Sequence, residues 1–240
     1  MSKLNLGQHI SRRFNQELED VRNNVLHMGG LVEEQLANAV KALVGAEAGL
    51  ARQVIDGDSR VNLMEREIDE ECTRIVARRQ PAATDLRLVM AIIKTINDLE
   101  RIGDEAKRVA KMSQSELDGS IQEGLRGELS HMGELVRGML RQVLDAFART
   151  DVDTAVEVVK ADVRVDRKYK GIIEHLVTQM SADPDAIPAL LNVLWAARSL
   201  ERMGDRCKNI AEYVIYMVLG MDVRHIDLDD VLAEIESQAD

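Results

Sequence analysis

Apolar residues recur every three or four positions along most of the chain. The first series is Leu18, Val21, Val25, Met28, Val32, Leu36, Ala39 and Leu43, and this spacing is typical of one buried face of an α-helix. Six such segments predict helices over about 9–45, 47–79, 84–113, 121–149, 152–180 and 185–220. No segment shows the clear alternation of a half-buried strand. The pattern therefore predicts an all-α protein of six long helices.

The chain repeats itself at a spacing of about one hundred residues. The segment LERIGDEAKRVA at 99–110 returns as LERMGDRCKNIA at 200–211, with seven of twelve positions identical at an offset of 101. The pair Met28-Gly29 returns as Met132-Gly133 at an offset of 104. A period of this length indicates a duplicated domain rather than a solenoid unit. The change of offset indicates that one connection in the second half is three residues shorter.

The repeat divides the chain into two antiparallel three-helix bundles in tandem. We expect the first bundle over residues 1–113, the second over 120–220, and an acidic C-terminal tail over 221–240. A polar linker separates the bundles, and we expect few contacts to cross it. A chain cut near 114–119 should then be tolerated better than a cut within any helix.

Composition limits the possible functions. The 240 residues carry a formal net charge of −11, which disfavours nucleic acid as a partner because phosphate binding requires a basic surface. No stretch reaches the ~18 consecutive apolar residues of a membrane-spanning helix. The isolated residues Cys72 and Cys207 suit reduced thiols. We therefore expect a cytoplasmic protein without membrane insertion, for which peripheral membrane association stays open.

Acidic residues interrupt the apolar faces at matching places in the two halves. The candidate ligands are Asp58, Asn62, Glu100 and Asp104 in the first half, and Asp162, Asp166, Glu201 and Asp205 in the second. Residues four apart lie one above the other on a helix, so antiparallel neighbouring helices bring two pairs together in each half. Such like charges are costly unless a cation or a basic group neutralises them. Oxygen-rich sites suit hard cations such as Mg, Mn, Ca or iron.

The second site offers four carboxylates and the first offers three, because Asn62 supplies only a neutral carbonyl oxygen. We therefore expect the second site to bind metal more tightly. Two alternatives to a metal site stay open. The acids can form ordinary ion pairs on a solvated helix face, Glu100 with Arg101 or Lys107 among them. Alternatively, Arg101 and Arg202 can neutralise them without a metal.

The remaining repeated residues suit helix packing or the protein surface. The glycine pairs Gly29 with Gly133 and Gly103 with Gly204 indicate close approach of helices, or merely tolerated small residues. On the third helix one face opposite the core stripe should contact water, and it carries Arg87, Lys94, Asp98, Arg101 and Glu105. His27 and His131 also occupy equivalent positions and are expected to be surface residues rather than ligands.

These features resemble the PhoU family of phosphate-signalling proteins. The points of match are the twin LERxGD segments, the twin MGxLV segments, Pro81 followed by Asp85-Leu86-Arg87, and the tandem three-helix layout. The resemblance covers residues from about 9 to 219 and implies two similar bundles whose E(D)xxxD pairs hold metal clusters. Iron is the metal it implies first, with magnesium, manganese or zinc as alternatives. The family's acidic pattern falls on the candidate ligands above, and Asn62 departs from it.

The resemblance also implies regulation rather than catalysis. Proteins of that family repress the phosphate-starvation response when phosphate is plentiful. They are thought to link the ATPase subunit of the phosphate ABC transporter to a membrane sensor histidine kinase. For this chain we therefore expect a negative regulator of phosphate uptake with those two partners, a homodimer, and no enzymatic activity.

Two competing hypotheses come from other functional classes. A ferritin-like di-iron oxidase needs a Glu-x-x-His pair on each of two helices. This chain has one such pair, Glu128 with His131, and its copy in the first half begins with Asn24 instead of an acid. The other hypothesis is a plain scaffold in which the acids only fix the register of the helices.

Overall fold

The computed structural model describes residues 12–114, 123–224 and 226. Within them the chain forms six α-helices and no strand. The helices are α1 (Arg12–Gly45), α2 (Ala48–Arg79), α3 (Ala83–Met112), α4 (Glu123–Arg149), α5 (Val152–Ala182) and α6 (Ile187–Leu219), and a 3-10 turn, Pro184–Ala186, precedes α6. The all-α prediction is confirmed. Every helix begins and ends within three residues of its predicted boundary.

The helix ends follow from local sequence. Gly220 adopts a φ of 77° and its N–H bonds to the carbonyl of Tyr216, which ends α6. Residues 80–82 join α2 to α3, and residues 183–186, which include the 3-10 turn, join α5 to α6. The predicted shorter connection is therefore wrong: α3 begins 16 residues before Leu99 and α6 begins 13 residues before Leu200, so the three residues are missing from the start of α6.

Each half is a bundle in which every helix packs against the other two. The halves also pack against each other, through α1 with α4 and through α3 with α6. The expectation of few contacts between the halves is therefore wrong. Residues 115–122 of the linker and the tail beyond 226 lie outside the described residues. Among the helices of the described residues, none has an apolar stretch of the length that spans a bilayer.

The contacts between the halves obey an approximate two-fold symmetry. A Cβ added at Gly29 would lie 2.4 Å from Cδ2 of Leu144, and one added at Gly133 would lie 2.6 Å from Cγ2 of Val40. Leu144 and Val40 are themselves related by the offset of 104, so the same contact is made twice. The repeated glycines therefore allow the backbones of α1 and α4 to approach closely.

Two carboxylates that the sequence placed in water are buried between α3 and α6. Asp98 is 3% exposed and Glu105 is 9% exposed. The Ser199 hydroxyl donates to Glu105 at 2.7 Å, and the guanidinium of Arg202 donates to it at 3.1 Å. Arg206 pairs with Asp98 at 3.4 Å. The prediction that Asp98 and Glu105 face solvent is wrong, because the second half covers this face of α3.

Of the three basic residues on the same face of α3, two pack against α6 or its C-terminal end and one is exposed. The ammonium of Lys94 lies 5.4 Å from the ring centroids of both Tyr213 and Tyr216, within cation–π range. Arg87 is half-buried and its guanidinium packs about 3.5 Å from the Cβ position of Gly220. Arg101 is exposed as predicted. Only part of the predicted basic stripe is therefore solvated.

Candidate functional site

The predicted acids gather in two grooves, one between α2 and α3 and the other between α5 and α6. Small residues let each pair of helices approach there. A Cβ added at Gly103 would lie 3.5 Å from Cγ1 of Val61, and one added at Gly204 would lie 3.2 Å from Cγ1 of Val165. Val61 and Val165 are also related by the offset of 104. The close approach that the repeated glycines indicated is therefore present between α5 and α6 at Gly204, whereas the Cβ position of Gly103 is in ordinary contact with α2 and its tight contact, at 3.2 Å, is with Oε1 of Gln35 on α1.

The centre of the first site is Asp58, which is 3% exposed. Its Oδ2 atom accepts a hydrogen bond from the ammonium of Lys107 at 2.6 Å and one from the amide of Asn62 at 3.3 Å. The bond to Asp58 raises the pKa of Lys107 above its ordinary value. A buried carboxylate of the second helix is thus neutralised by a cation from the third.

The predicted acids of α3 complete the first site. Burial raises the pKa of Glu100, and the nearby charges of Asp104, Glu65 and Asp58 raise it further. The charges of these three carboxylates therefore act on Glu100. Glu100 is half-buried, whereas Asp104 is exposed.

Glu65 is a further carboxylate of the first site that the repeat did not indicate. Burial raises its pKa, the charges of Asp69 and Asp104 raise it further, and a hydrogen bond from Asn97 opposes them. Glu65 follows Asp58 by seven residues, so both lie on one face of α2, and that spacing is a usable signal. The repeat conceals it, because the equivalent residue of the second half is Tyr169, not an acid.

The second site has the same plan with different partners. Asp162 is 5% exposed and lies 3.3 Å from the ammonium of Lys208. Glu201 is hydrogen-bonded to Arg198, whose guanidinium carbon lies 5.8 Å from the ring centroid of Tyr169. The second site therefore contains two cationic side chains of its own.

Three predicted acids of the second site have raised pKa values. Burial raises the pKa of Asp162, and the charges of Asp166 and Asp205 raise it further, against the charge of Lys208. Burial likewise raises the pKa of Glu201 and of Asp205, and the charge of Asp166 raises both further. The charge of Asp166 on α5 thus acts on two acids of α6.

The cations that neutralise these sites are mostly not the arginines that the sequence suggested. Arg202 bonds to Glu105 at the seam between the halves. Arg101 is exposed and only slightly offsets the raised pKa of Glu100. Lys107 and Lys208 take this role instead. They are identical residues of the repeat at an offset of 101, so the signal was present in the sequence.

The oxygen atoms of both sites are of the kind that a hard metal ion binds. In the described part of the chain, no three His, Cys, Asp or Glu side chains are arranged to hold a metal as they stand. Four buried oxygens of the predicted ligands nonetheless have no hydrogen-bond partner there: Asp58 Oδ1, Asn62 Oδ1, Asp162 Oδ1 and Glu201 Oε2. A buried oxygen without a partner costs about 1–3 kcal/mol. A cation would satisfy these atoms.

The residues of the di-iron hypothesis are not assembled. The carboxylate of Glu128 lies 3.1 Å from Nδ1 of His175 and 3.7 Å from the ammonium of Lys168. His131 is exposed, as is its counterpart His27. Both histidines are surface residues, as expected.

Comparison with known proteins agrees with the internal repeat. The profile of the PhoU domain family matches residues 25–113 and again residues 129–214. The phosphate-specific transport system accessory protein PhoU homolog of Pseudomonas aeruginosa is 53% identical over 239 residues, 99% of this chain and 98% of that protein. The phosphate-specific transport system accessory protein PhoU of Escherichia coli K12 is 48% identical over 240 residues, 99% of each chain.

Two crystal structures share the fold. PhoU from Pseudomonas aeruginosa superposes with a TM-score of 0.84 at 54% identity, over 87% of this chain and 100% of that one. The phosphate transport system regulatory protein PhoU from Streptococcus pneumoniae gives a TM-score of 0.80 at 29% identity, over 88% and 99%. Two matched domains and identity along nearly the whole length show that this chain belongs to the PhoU family.

Proposed function

We propose that this chain is an accessory protein of a phosphate-specific transport system and that it represses the phosphate-starvation response when phosphate is plentiful. The observation that carries the proposal is the 53% identity, over 99% of this chain, to a protein of that name. The relatives are named as accessory proteins rather than enzymes. Regulation through binding therefore accounts for the fold better than catalysis does.

The repressing form connects two partners, the ATPase subunit of the phosphate ABC transporter and a membrane sensor histidine kinase, and we propose a homodimer as the working unit. The surface offers apolar anchors for such contacts. Trp195 on α6 is 58% exposed and Val177 on α5 is 56% exposed. Large aromatic and aliphatic side chains exposed in this way favour protein–protein contact.

We also propose that both acid sites hold metal ions, with iron as the first choice and magnesium, manganese or zinc as alternatives. The first-site ligands are Asp58, Asn62, Glu100 and Asp104 with Glu65, and the second-site ligands are Asp162, Asp166, Glu201 and Asp205. The four unpartnered buried oxygens support this assignment. A bound cation would neutralise the clustered carboxylates and tie α2 to α3 and α5 to α6.

The regulatory proposal is tested by deleting the gene and measuring a phosphate-starvation promoter in cells grown in high phosphate. We expect expression near the level of starved cells, because the sensor kinase has lost its repressing partner. A plasmid copy of the parent gene should restore repression. A deletion strain that still silences the promoter in high phosphate, with no second copy of the gene to replace it, would overturn the proposal.

The partners are tested separately by capture of a tagged protein from cells grown in high phosphate. The ATPase subunit and the sensor kinase should both be recovered, and the kinase should be lost when its cytoplasmic domain is removed. Recovery of neither protein contradicts the linking role, even if the deletion phenotype is as expected.

A further inference from the structure

We propose that Lys107 and Lys208 are internal competitors for the metal ion, each holding its ammonium group in an acid site until a cation displaces it. The inference rests on the metal sites of the proposed function. Lys107 and Lys208 are not part of the acidic motif, and in this proposal they set how tightly each site binds a metal ion.

The first lysine lies directly against a predicted metal ligand. Its Nζ atom lies 2.6 Å from Oδ2 of Asp58, whose side chain is 4% exposed. The same ammonium also interacts electrostatically with Asp104 and Glu100. One positive charge therefore serves three of the four predicted ligands of the first site.

The second lysine forms the equivalent ion pair at a longer distance and with a more exposed side chain. The Nζ atom of Lys208 lies 3.3 Å from Oδ2 of Asp162, and the lysine side chain is 39% exposed, against 29% for Lys107. Its charge also acts on Asp205. Both halves thus use the lysine three residues after the second acid of the repeat, and the first half holds it more firmly.

An ammonium group and a divalent metal ion repel each other when both bind the same carboxylate oxygens. Two cations about 4 Å apart repel each other strongly in a partly buried environment. A metal bound to Asp58 must therefore move the lysine. The four-carbon stem of lysine is flexible and both lysines are partly exposed, so each ammonium can turn outward into water.

The competition also explains why buried aspartates that have a lysine partner still carry an oxygen without a hydrogen bond. Lys107 bonds to one oxygen of Asp58 and leaves Oδ1 without a partner, and Oδ1 of Asp162 is equally unpartnered beside Lys208. A single ammonium lowers the repulsion among the acids but does not saturate their oxygens. Magnesium and manganese ions take about six oxygen ligands, so such an ion can replace the ammonium and satisfy the remaining atoms.

The test compares Lys107→Met, Lys208→Met and the control Lys111→Met. Lys111 is exposed, lies one turn beyond Lys107 on α3, and its replacement changes the net charge equally. Chelator-treated protein is titrated with Mn²⁺ while the free ion is measured by electron paramagnetic resonance. We expect first-site affinity to rise about tenfold in Lys107→Met, second-site affinity to rise about threefold in Lys208→Met, and Lys111→Met to match the parent within about twofold.

Thermal unfolding checks that the variants are folded. Metal-free Lys107→Met should melt below the parent because Asp58 loses its cationic partner. Mn²⁺ should raise the melting temperature of the variant by more than it raises that of the parent. Lys107→Gln, which keeps a hydrogen-bond donor but no charge, is measured beside it and should also bind Mn²⁺ more tightly than the parent.

The outcomes separate the two proposals. If the parent binds Mn²⁺ and the Lys107 variants bind it no more tightly than Lys111→Met, the metal site stands and the competition is overturned. If neither the parent nor any variant binds Mn²⁺, both are overturned. Tighter binding confined to the Lys107 and Lys208 variants supports the competition, since a merely structural ion pair would give weaker binding when broken.

Discussion

The two acid sites share one plan and differ in the residues around it. At three equivalent positions the first site has Asn62, Glu65 and Asn97, and the second has Asp166, Tyr169 and Arg198. The first site therefore has its additional acid at Glu65 of α2, about one turn after the position that corresponds to Asp166 of α5. In the second site an arginine also bonds to Glu201, whereas Asn97 bonds to Glu65 in the first.

This difference teaches that counting acids does not rank the sites. Glu65 gives the first site a fourth carboxylate, so the count of four carboxylates against three no longer decides which site binds metal more tightly. The prediction that the second site does so now rests on its lysine. Lys208 lies 3.3 Å from its aspartate and Lys107 lies 2.6 Å from its own, so a metal displaces Lys208 more easily.

The largest expected effect comes from removing the second site. The variant replaces Asp162, Asp166, Glu201 and Asp205 by Asn or Gln. We expect it to lose most of the bound metal, measured by elemental analysis after loading with Mn²⁺, because neutral amides attract a cation far less than carboxylates do. The matched first-site variant replaces Asp58, Glu65, Glu100 and Asp104 and should lose less. Unchanged metal content in the second-site variant would count decisively against that site.

The next effect concerns the symmetric contact between α1 and α4. Gly133→Ala should lower the free energy of unfolding by about 1–3 kcal/mol, because the branched side chain of Val40 cannot rotate away. Gly29→Ala should cost less, since the end of Leu144 can move. Gly138 has nothing within 4 Å of its Cβ position, so Gly138→Ala should stabilise by about 0.5–1 kcal/mol. Denaturant unfolding measures all three, and equal stabilities would contradict the close approach.

The pH dependence of stability should also come mainly from the second half. Burial raises the pKa of Glu212 from 4.5 to about 7, against the charges of Lys208 and Arg224 and with those of Asp222 and Asp162. Its equivalent in the first half is Lys111. A raised carboxyl pKa means that the folded state binds the proton more tightly than the unfolded state does. The stabilisation is therefore complete below about pH 4.5 and is lost as the pH rises through about 7.

We expect the melting temperature of the metal-free protein to be about 3 °C higher at pH 5.5 than at pH 8. Burial also raises the pKa of Glu100, Asp162, Glu201 and Asp205, which act in the same direction. Glu212→Gln should flatten most of the rise. A parent protein that melts at the same temperature across this range would show that these acids are not desolvated.

The smallest effect on stability is expected at Arg101. Arg101→Glu should change the free energy of unfolding by about 0.5 kcal/mol or less, because the side chain is exposed, while weakening repression of the reporter promoter. Its counterpart Arg202 bonds to the buried Glu105. Arg202→Glu should therefore cost more stability, since it places a second carboxylate there. Equal losses in the two variants would mean that the seam between the halves is not as close as described.

The sequence singled out the candidate acids for a clear physical reason. Carboxylates at the flank of an apolar stripe are costly, and their repetition in both halves made an accident improbable. The same reliance on repetition hid Glu65, whose counterpart is a tyrosine. Asp98 and Glu105 were expected in water because a helical wheel considers one helix at a time. It treats every face that points away from the core of its own bundle as solvent-exposed, and here α6 of the second half covers that face.

The sequence by itself determined the six helices and their ends, because these depend on neighbours a few positions apart. The short connections indicated which helices pair within each half. Apolar spacing, a left-handed glycine at 220 and a proline after Asp183 act locally. Only the tertiary structure decided that α6 covers the polar face of α3 and that Lys107 and Lys208 neutralise the acids across each groove. Those contacts join residues about 50 or 100 positions apart in the chain, and their strength depends on burial that no local pattern encodes.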